Sequence, residues 1–552
     1  VDARERNRIV GIPDRGPDNF GMSDLHFSAR RAARGDQGGL SGKERSQEQK
    51  IVASILAQCE ADAPEPAAVA EIPAPKEDII IVSDLHIGAG RTPDGSYSGT
   101  ENFFADESFA RMLAYVQKDR AEKRGRSSVL VINGDFVDFL RIVSAPETEA
   151  DFLEWQDLLV SIGITDKHVE ELKAAVSDKE RDIGLKTHDF KSVWKLHVAT
   201  RGHPALFAGL AGWVQHGHSL VVVKGNHDLE WYWPAVRNFL RLTLAGHLHA
   251  GNPATPLHEH LTDIVPRIRF VDDACIIDRQ VYVEHGHRYD RFTAVVGSPT
   301  WGASGHELNI PFGSFFNRYL INKLELIYPF LDNVRPRQNI LHMLMRERFF
   351  LGLKVLFQHV PFTIDMIPKR YAHHLLKPLA GYGLALGLPL LVTLLLWGDR
   401  LLPLFFAGNG QATGVSSLGD VILRYAGGVL NDTAVIFLGY IFARFVSFVQ
   451  LSEPEDLLEP AQRKMDAHPE CRLITMGHTH NTGQKQENGR WYINSGSWIP
   501  VIESSSAALR EDKTYSLIYL ERSSQGKLIV HPLQRWNDDA GRIEPLVIVD
   551  RK

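Results

Sequence analysis

Five short clusters of carboxylate, imidazole and amide side chains occur along this chain of 552 residues. They are Asp84-Leu-His86, Gly134-Asp135-Phe-Val-Asp138, Gly225-Asn226-His227-Asp228, His285-Gly-His287 and Gly477-His478-Thr-His480. One D-x-H or G-H-x-H alone would say little, because a lone histidine is more often a satisfied structural residue than a ligand. Oxygen and imidazole donors together suit borderline divalent ions such as Mn, Fe, Zn or Co, whereas a thiolate set would point to a closed structural zinc. At a strand end, residues i and i+2 project to the same side, so Asp84 and His86 are expected to reach one ion. A carboxylate such as Asp135 can bridge two ions held ~3.5–4 Å apart, and such a pair activates water and clamps an in-line phosphoryl displacement. The leaving group then needs a proton donor beside the ions. His227, next to Asn226 and followed by Asp228, suits that task. There is no Walker A loop, HExxH or GxSxG to offer another chemistry.

Each cluster follows a short apolar run: IIIV (79–82), VLVI (129–132), LVVV (220–223), VYVE (281–284) and LITM (473–476). These read as buried strands. Helical stretches such as DESFARMLAYVQKDRAEKRG and DKHVEELKAAVSDKE lie between them, which predicts an α/β core with ligands at the carboxyl ends of strands. The core is expected over 78–290, with a helical insertion at about 140–215, and again over 471–552, where RWYIN, TYSLIYLER and KLIVHPL suggest a second sheet. Residues 1–77 are read as a charged, disordered leader that contains a short helical run (EQKIVASILAQCE) and ends in an Ala/Pro linker. Residues 291–470 are read as a mainly helical, apolar insertion or cap. Within it 378–398 carries no charge and would span ~32 Å as a helix, and 433–451 is similar apart from Arg444, so the two form a candidate membrane hairpin. The basic, apolar stretch 335–377 reads as a surface for anionic lipid.

The five-cluster pattern resembles the calcineurin-like metallophosphoesterase superfamily, whose motifs are D-x-H, G-D-x-x-D, G-N-H-D/E, H-G-x and G-H-x-H. The resemblance implies a four-layer α/β/β/α sandwich with mixed sheets and two divalent ions, with Mn the first expectation. It implies Asp84, His86, Asp135 and His480 around one ion, and Asp135, Asn226, His285 and His478 around the other. His227 would be the catalytic histidine, with Asp228 orienting it. Asp138 is expected to hold a ligand histidine by a hydrogen bond, and His287 to support the ligands or touch substrate. Two similar strings are set aside: SDLH with Asp24 and His26 has no strand before it, and GHLH with His247 and His249 breaks the family order.

Substrate is less legible. The insertion after the HGH cluster lies where UDP-2,3-diacylglucosamine pyrophosphatases, which the chain partly resembles, carry a lipid-covering lid, although they usually have Arg in place of His227. A phosphate ester or pyrophosphate on a lipid-linked substrate is therefore one expectation. Soluble nucleotides or phosphoproteins, with the insertion as anchor, are the alternative, and a non-catalytic membrane scaffold is a third. With 61 Lys+Arg against 67 Asp+Glu the net charge is −6, which argues against nucleic acid as a partner. Three scattered cysteines suit a reducing compartment, so a cytoplasmic catalytic domain at the inner face of the cell membrane is expected.

Overall fold

A computed structural model describes residues 42–63, 68–302, 305–326, 334–335, 456–503, 508–510 and 515–547. The chain divides into two compact units, Val1–Asn333 with Glu453–Lys552, and Val334–Ser452. The expected lipid-facing stretch 335–377 and the hairpin 378–398/433–451 lie in the second unit and, but for Arg335, outside the described residues. Among the described residues no helix is long and apolar enough to cross a membrane.

The first unit is a mixed α/β structure with two mixed sheets. One contains β2 (Asp78–Val82), β3 (Ser128–Asn133), β4 (Ser219–Val223) and β5 (Ile268–Val271), all parallel and in that order. The other contains β1 (Ala70–Ile72), β6 (Ala274–Ile277), β7 (Val281–Glu284), β8 (Leu473–Met476), β10 (Arg490–Ser495) and β9 (Thr482–Glu487), in the order β1-β6-β7-β8-β10-β9. Within it β7, β8 and β10 run parallel. The runs IIIV, VLVI, LVVV, VYVE and LITM fall within β2, β3, β4, β7 and β8.

These runs are continuously apolar because both faces of each strand are covered. Ile79, Ile81, Val129 and Val131 on one side pack with Cys275, Ile277, Val281, Val283 and Leu473 of the other sheet. Ile80, Val82, Leu130 and Ile132 point the opposite way, into a core shared with the helices α2 (Asp106–Tyr115), α3 (Pro204–Gln215) and α4 (Pro234–Gly251). Tyr282, Ile474 and Met476 meet Ala461 and Met465 of the helix Leu458–Ala467.

Three boundaries differ from the sequence reading. Of the strands after 490, RWYIN and TYSLIYLER do not share one sheet. β10 joins β8, whereas β11 (Ser516–Arg522) pairs antiparallel with β2 and extends the first sheet. Each therefore completes a sheet begun far upstream. The core also does not stop at 290. Helical turns Phe312–Phe316, Asn317–Ile321 and Asn322–Glu325 dock on it, with Asn322 Nδ2 donating to the Leu140 carbonyl (2.7 Å) and Arg318 to those of Gly184 and Leu185.

The third correction concerns the leader. Residues 1–41 lie outside the described residues, but Gly42–Ala61 is the helix α1, and its Val52 and Leu56 are buried in the main core. Glu60 pairs with Arg237 and Arg241, and Glu48 with His258. The Ala/Pro stretch is not an extended linker throughout: β1 pairs with β6 at the sheet edge, where proline neighbours are tolerated. Leu56→Ala should therefore cost ~2–5 kcal/mol, read as a lower urea midpoint, whereas an undocked leader would leave the midpoint unchanged.

Candidate metal centre

All five clusters meet at the carboxyl ends of β2, β3 and β4 in one sheet and β7 and β8 in the other. Backbone bonds tie these ends together: Asp84 N–H donates to the Gly134 carbonyl (3.2 Å), His86 N–H to that of Asp135 (2.8 Å), and Gly477 N–H to that of His285 (2.9 Å). The extended-strand account of D-x-H is corrected here. Asp84 and His86 both lie beyond the end of β2 with left-handed backbones, φ 54° and 48°. Asp135, His478 and His480 share this conformation, at φ 49°, 67° and 58°. Non-glycine residues there cost on the order of 1–3 kcal/mol each and concentrate where side chains must be aimed. Two motif glycines have a steric reason as well. A Cβ on Gly225 would collide with the Asp135 carboxylate, and one on Gly477 would press on Asp84 and Ser83.

The side chains form three overlapping buried groups, Asp84/His86/His480, His86/Asp135/His227 and Asp135/His285/His478, with donor atoms in each within 4.8 Å of one another. His285 Nδ1 lies 2.9 Å from the Asn133 carbonyl, which can only accept. Its Nδ1 is therefore protonated, and the Nε2 lone pair of the neutral ring faces Asp135 Oδ2 (3.1 Å) and Asn226 Oδ1 (3.3 Å). His86 repeats the pattern. Nδ1 donates to Asp138 Oδ2 (3.0 Å), and Nε2 faces His480 Nε2 (3.0 Å), Asp135 Oδ2 (3.6 Å) and Asp84 Oδ1 (3.9 Å). Acceptors facing acceptors in a dry site need a proton or a cation between them.

The titration of the groups carries the same message. Burial pulls His86 down, but the carboxylates of Asp138, Asp84 and Asp135 outweigh it and lift the imidazolium to about 10. His285 rises to about 9 against burial because of Asp135 and Asp84. Burial opposes ionisation of Asp135 too, yet His285 and His227 hold it well below the usual carboxylate range. So the pocket calls for positive charge. Asp84, His86, Asp135, His285, His478 and His480 stand in buried groups that could hold a metal ion, and Asn226 Oδ1 lies 3.3 Å from His285 Nε2 beside them.

The supporting groups differ in part from the expectation. Asp228 does not orient His227. Its Oδ1 accepts from Gly225 N–H (2.6 Å), and its Oδ2 from Phe136 N–H (2.8 Å) and the Trp231 indole (3.0 Å). Burial and the neighbouring Asp135 charge push it up to about 7. Asp138 holds His227 instead, Oδ2 to Nδ1 at 2.9 Å, as well as His86. The resemblance implies Asp228 in that role, but the tight turn after β4 directs its carboxylate at two backbone amides and an indole.

His287 is buried beside His285 and His478, and its Nδ1 has no hydrogen-bond partner. Burial and the two neighbouring imidazoles push it well below its ordinary value. Two residues not anticipated are Thr293 and Asp290, whose Oγ1 and Oδ2 face His478 Nε2 at 3.3 and 3.5 Å. Asp290 follows the HGH cluster by only three residues, a signal that was available. His247 and His249 lie within α4, and His249 Nδ1 bonds to the Thr255 carbonyl (2.7 Å). Asp24 and His26 lie outside the described residues. Neither a protein-family model nor a curated protein matches the chain.

Proposed function

We propose that the chain is a metal-dependent phosphoesterase, a hydrolase that cleaves a phosphate ester or pyrophosphate bond with water. The observation that carries this reading is the buried convergence of seven side chains with oxygen or nitrogen donors, Asp135 among them, with His227 held next to them by Asp138. Two cations, shared through Asp135, are part of the proposal. Bound there, they would supply a nucleophilic water at neutral pH and offset charge on the phosphoryl oxygens. Asp135 anchors the backbone of His227 through Oδ1 (2.8 Å to N–H) while Oδ2 faces His285 and His86. Asp138 Oδ2 accepts the hydrogen bond of His227 Nδ1, which leaves Nε2 as the ring nitrogen that would hand a proton to the departing oxygen. The resemblance to calcineurin-like metallophosphoesterases belongs to this proposal, as does the α/β/β/α layering. Separate cores on the outer sides of two facing sheets support it.

The test is hydrolysis of bis-p-nitrophenyl phosphate and p-nitrophenyl phosphate by the full chain, with metal removed by chelator and restored as Mn. Turnover that disappears with chelator and returns with Mn is expected, and the ratio of the two rates reads diester against monoester preference. Protein that binds stoichiometric metal yet turns over no mono-, di- or pyrophosphate ester, lipid-linked ones included, would overturn the proposal.

A further inference from the structure

Asp138 carries an unusual load. Its Oδ2 faces three donors, His227 Nδ1 (2.9 Å), His86 Nδ1 (3.0 Å) and Arg141 Nε (3.3 Å), while Oδ1 has no hydrogen-bond partner. Rotation of this carboxylate would release both imidazoles at once. What opposes rotation is the guanidinium of Arg141, which is completely buried. Glu325, also buried, grips that guanidinium by both of its oxygens, Oε1 lying 3.0 Å from Nη2, and the Thr100 carbonyl accepts from Nη1 (3.0 Å). Glu325 ends the helical turns that dock on the core after residue 312, and Asn322 in the same turn reaches the Leu140 carbonyl.

A buried ion pair is poor evidence of stabilisation, since desolvation of both charges offsets most of their attraction. This one sits against the carboxylate that two site histidines share. We infer that Arg141 and Glu325 are positioning residues that fix Asp138 on His227 and His86. Arg141 pins Oδ2, and Glu325 both orients the guanidinium fork and balances its charge, so that Asp138 stays an undiminished acceptor for the imidazoles. The inference rests on the phosphoesterase reading for its kinetic consequences, although the geometry of His86 reports on it without turnover.

The experiment uses the full chain with Glu325→Gln, Arg141→Lys and, as a control, Glu60→Gln, which weakens a different arginine pair far along the chain. Arg141→Lys keeps the charge but loses the Nε contact, so it stands in if Glu325→Gln fails to fold. Phenyl phosphate and p-nitrophenyl phosphate are compared, because proton donation matters most for the poorer leaving group. Both site variants should lose about tenfold or more in kcat on the phenyl ester and only about two- to threefold on the nitrophenyl ester, with KM and metal content close to wild type. In the Co(II)-substituted protein the visible bands should shift in both variants, because His86 is released as well, and should not shift in Glu60→Gln. Equal losses on the two esters with unchanged Co(II) bands would overturn the inference and leave the pair as a structural tie. If the wild type turns over no ester, the phosphoesterase reading fails separately. The Co(II) bands then decide whether the pair positions Asp138.

Discussion

Asp135→Asn should abolish bound metal and turnover together while leaving the fold intact. The two oxygens of Asp135 have different obligations: Oδ1 accepts from His227 N–H at 2.8 Å, and Oδ2 faces His285 Nε2 at 3.1 Å and His86 Nε2 at 3.6 Å. An asparagine has the same shape but only one oxygen. The backbone N–H of His227 can only donate, so the amide oxygen must take the Oδ1 place. The NH2 group then points at the imidazole lone pairs and at the place a cation would occupy. The shared oxygen of two overlapping donor groups is lost in one substitution. We expect a fall in kcat/KM of about a thousandfold or more, roughly 4 kcal/mol of transition-state stabilisation, and metal below one equivalent after dialysis. Metal analysis beside the kinetics checks it. A variant with full metal and near-wild-type turnover would mean that Asp135 is a bystander and that the donors do not act as one centre.

That prediction could be framed from the sequence because the residues concerned sit directly after strands that hydrophobicity alone reveals. Ile79 to Val82 and Val129 to Ile132 are buried on both faces, so the chain had no polar residue to place there, and their ends were marked by the first charged side chains. β5 was missed for the converse reason. Arg269 is exposed in the middle of IRFV and breaks the apolar run. Long-range partnerships left no local signal. Asp138 and His227 are 89 residues apart and Arg141 and Glu325 are 184 apart, so nothing near Asp138 in the chain told which histidine it would hold. The turn after β4 commits the Asp228 carboxylate to three N–H groups, which its place beside His227 in the sequence does not show. The left-handed backbones at Asp84, His86, Asp135, His478 and His480 were equally hidden. Residue type fixes φ only at proline, and glycine merely permits the left-handed region.

His227→Gln separates two roles that the geometry alone leaves close together. His227 stands with His86 and Asp135 in one of the buried donor groups, and its ring lies edge-on to that of His86 at 4.6 Å, so it could in principle be a ligand. The hydrogen bond of Nδ1 to Asp138 and the full complement of donors without it argue for a proton donor instead. If so, the glutamine variant should keep its metal and its urea midpoint and lose about 10²–10⁴-fold in kcat, with the larger loss on poor leaving groups. Asp138→Ala should follow it in kcat, because it removes the acceptor that holds Nδ1 of His227. Asp228→Asn should behave differently. Its amide would set an NH2 against the Gly225, Phe136 or Trp231 donors and cost about 1–3 kcal/mol in stability, with kcat affected through the shape of the turn rather than through proton transfer. Loss of metal in His227→Gln would instead make His227 a ligand, and the proton for the leaving group would then have to come from another residue.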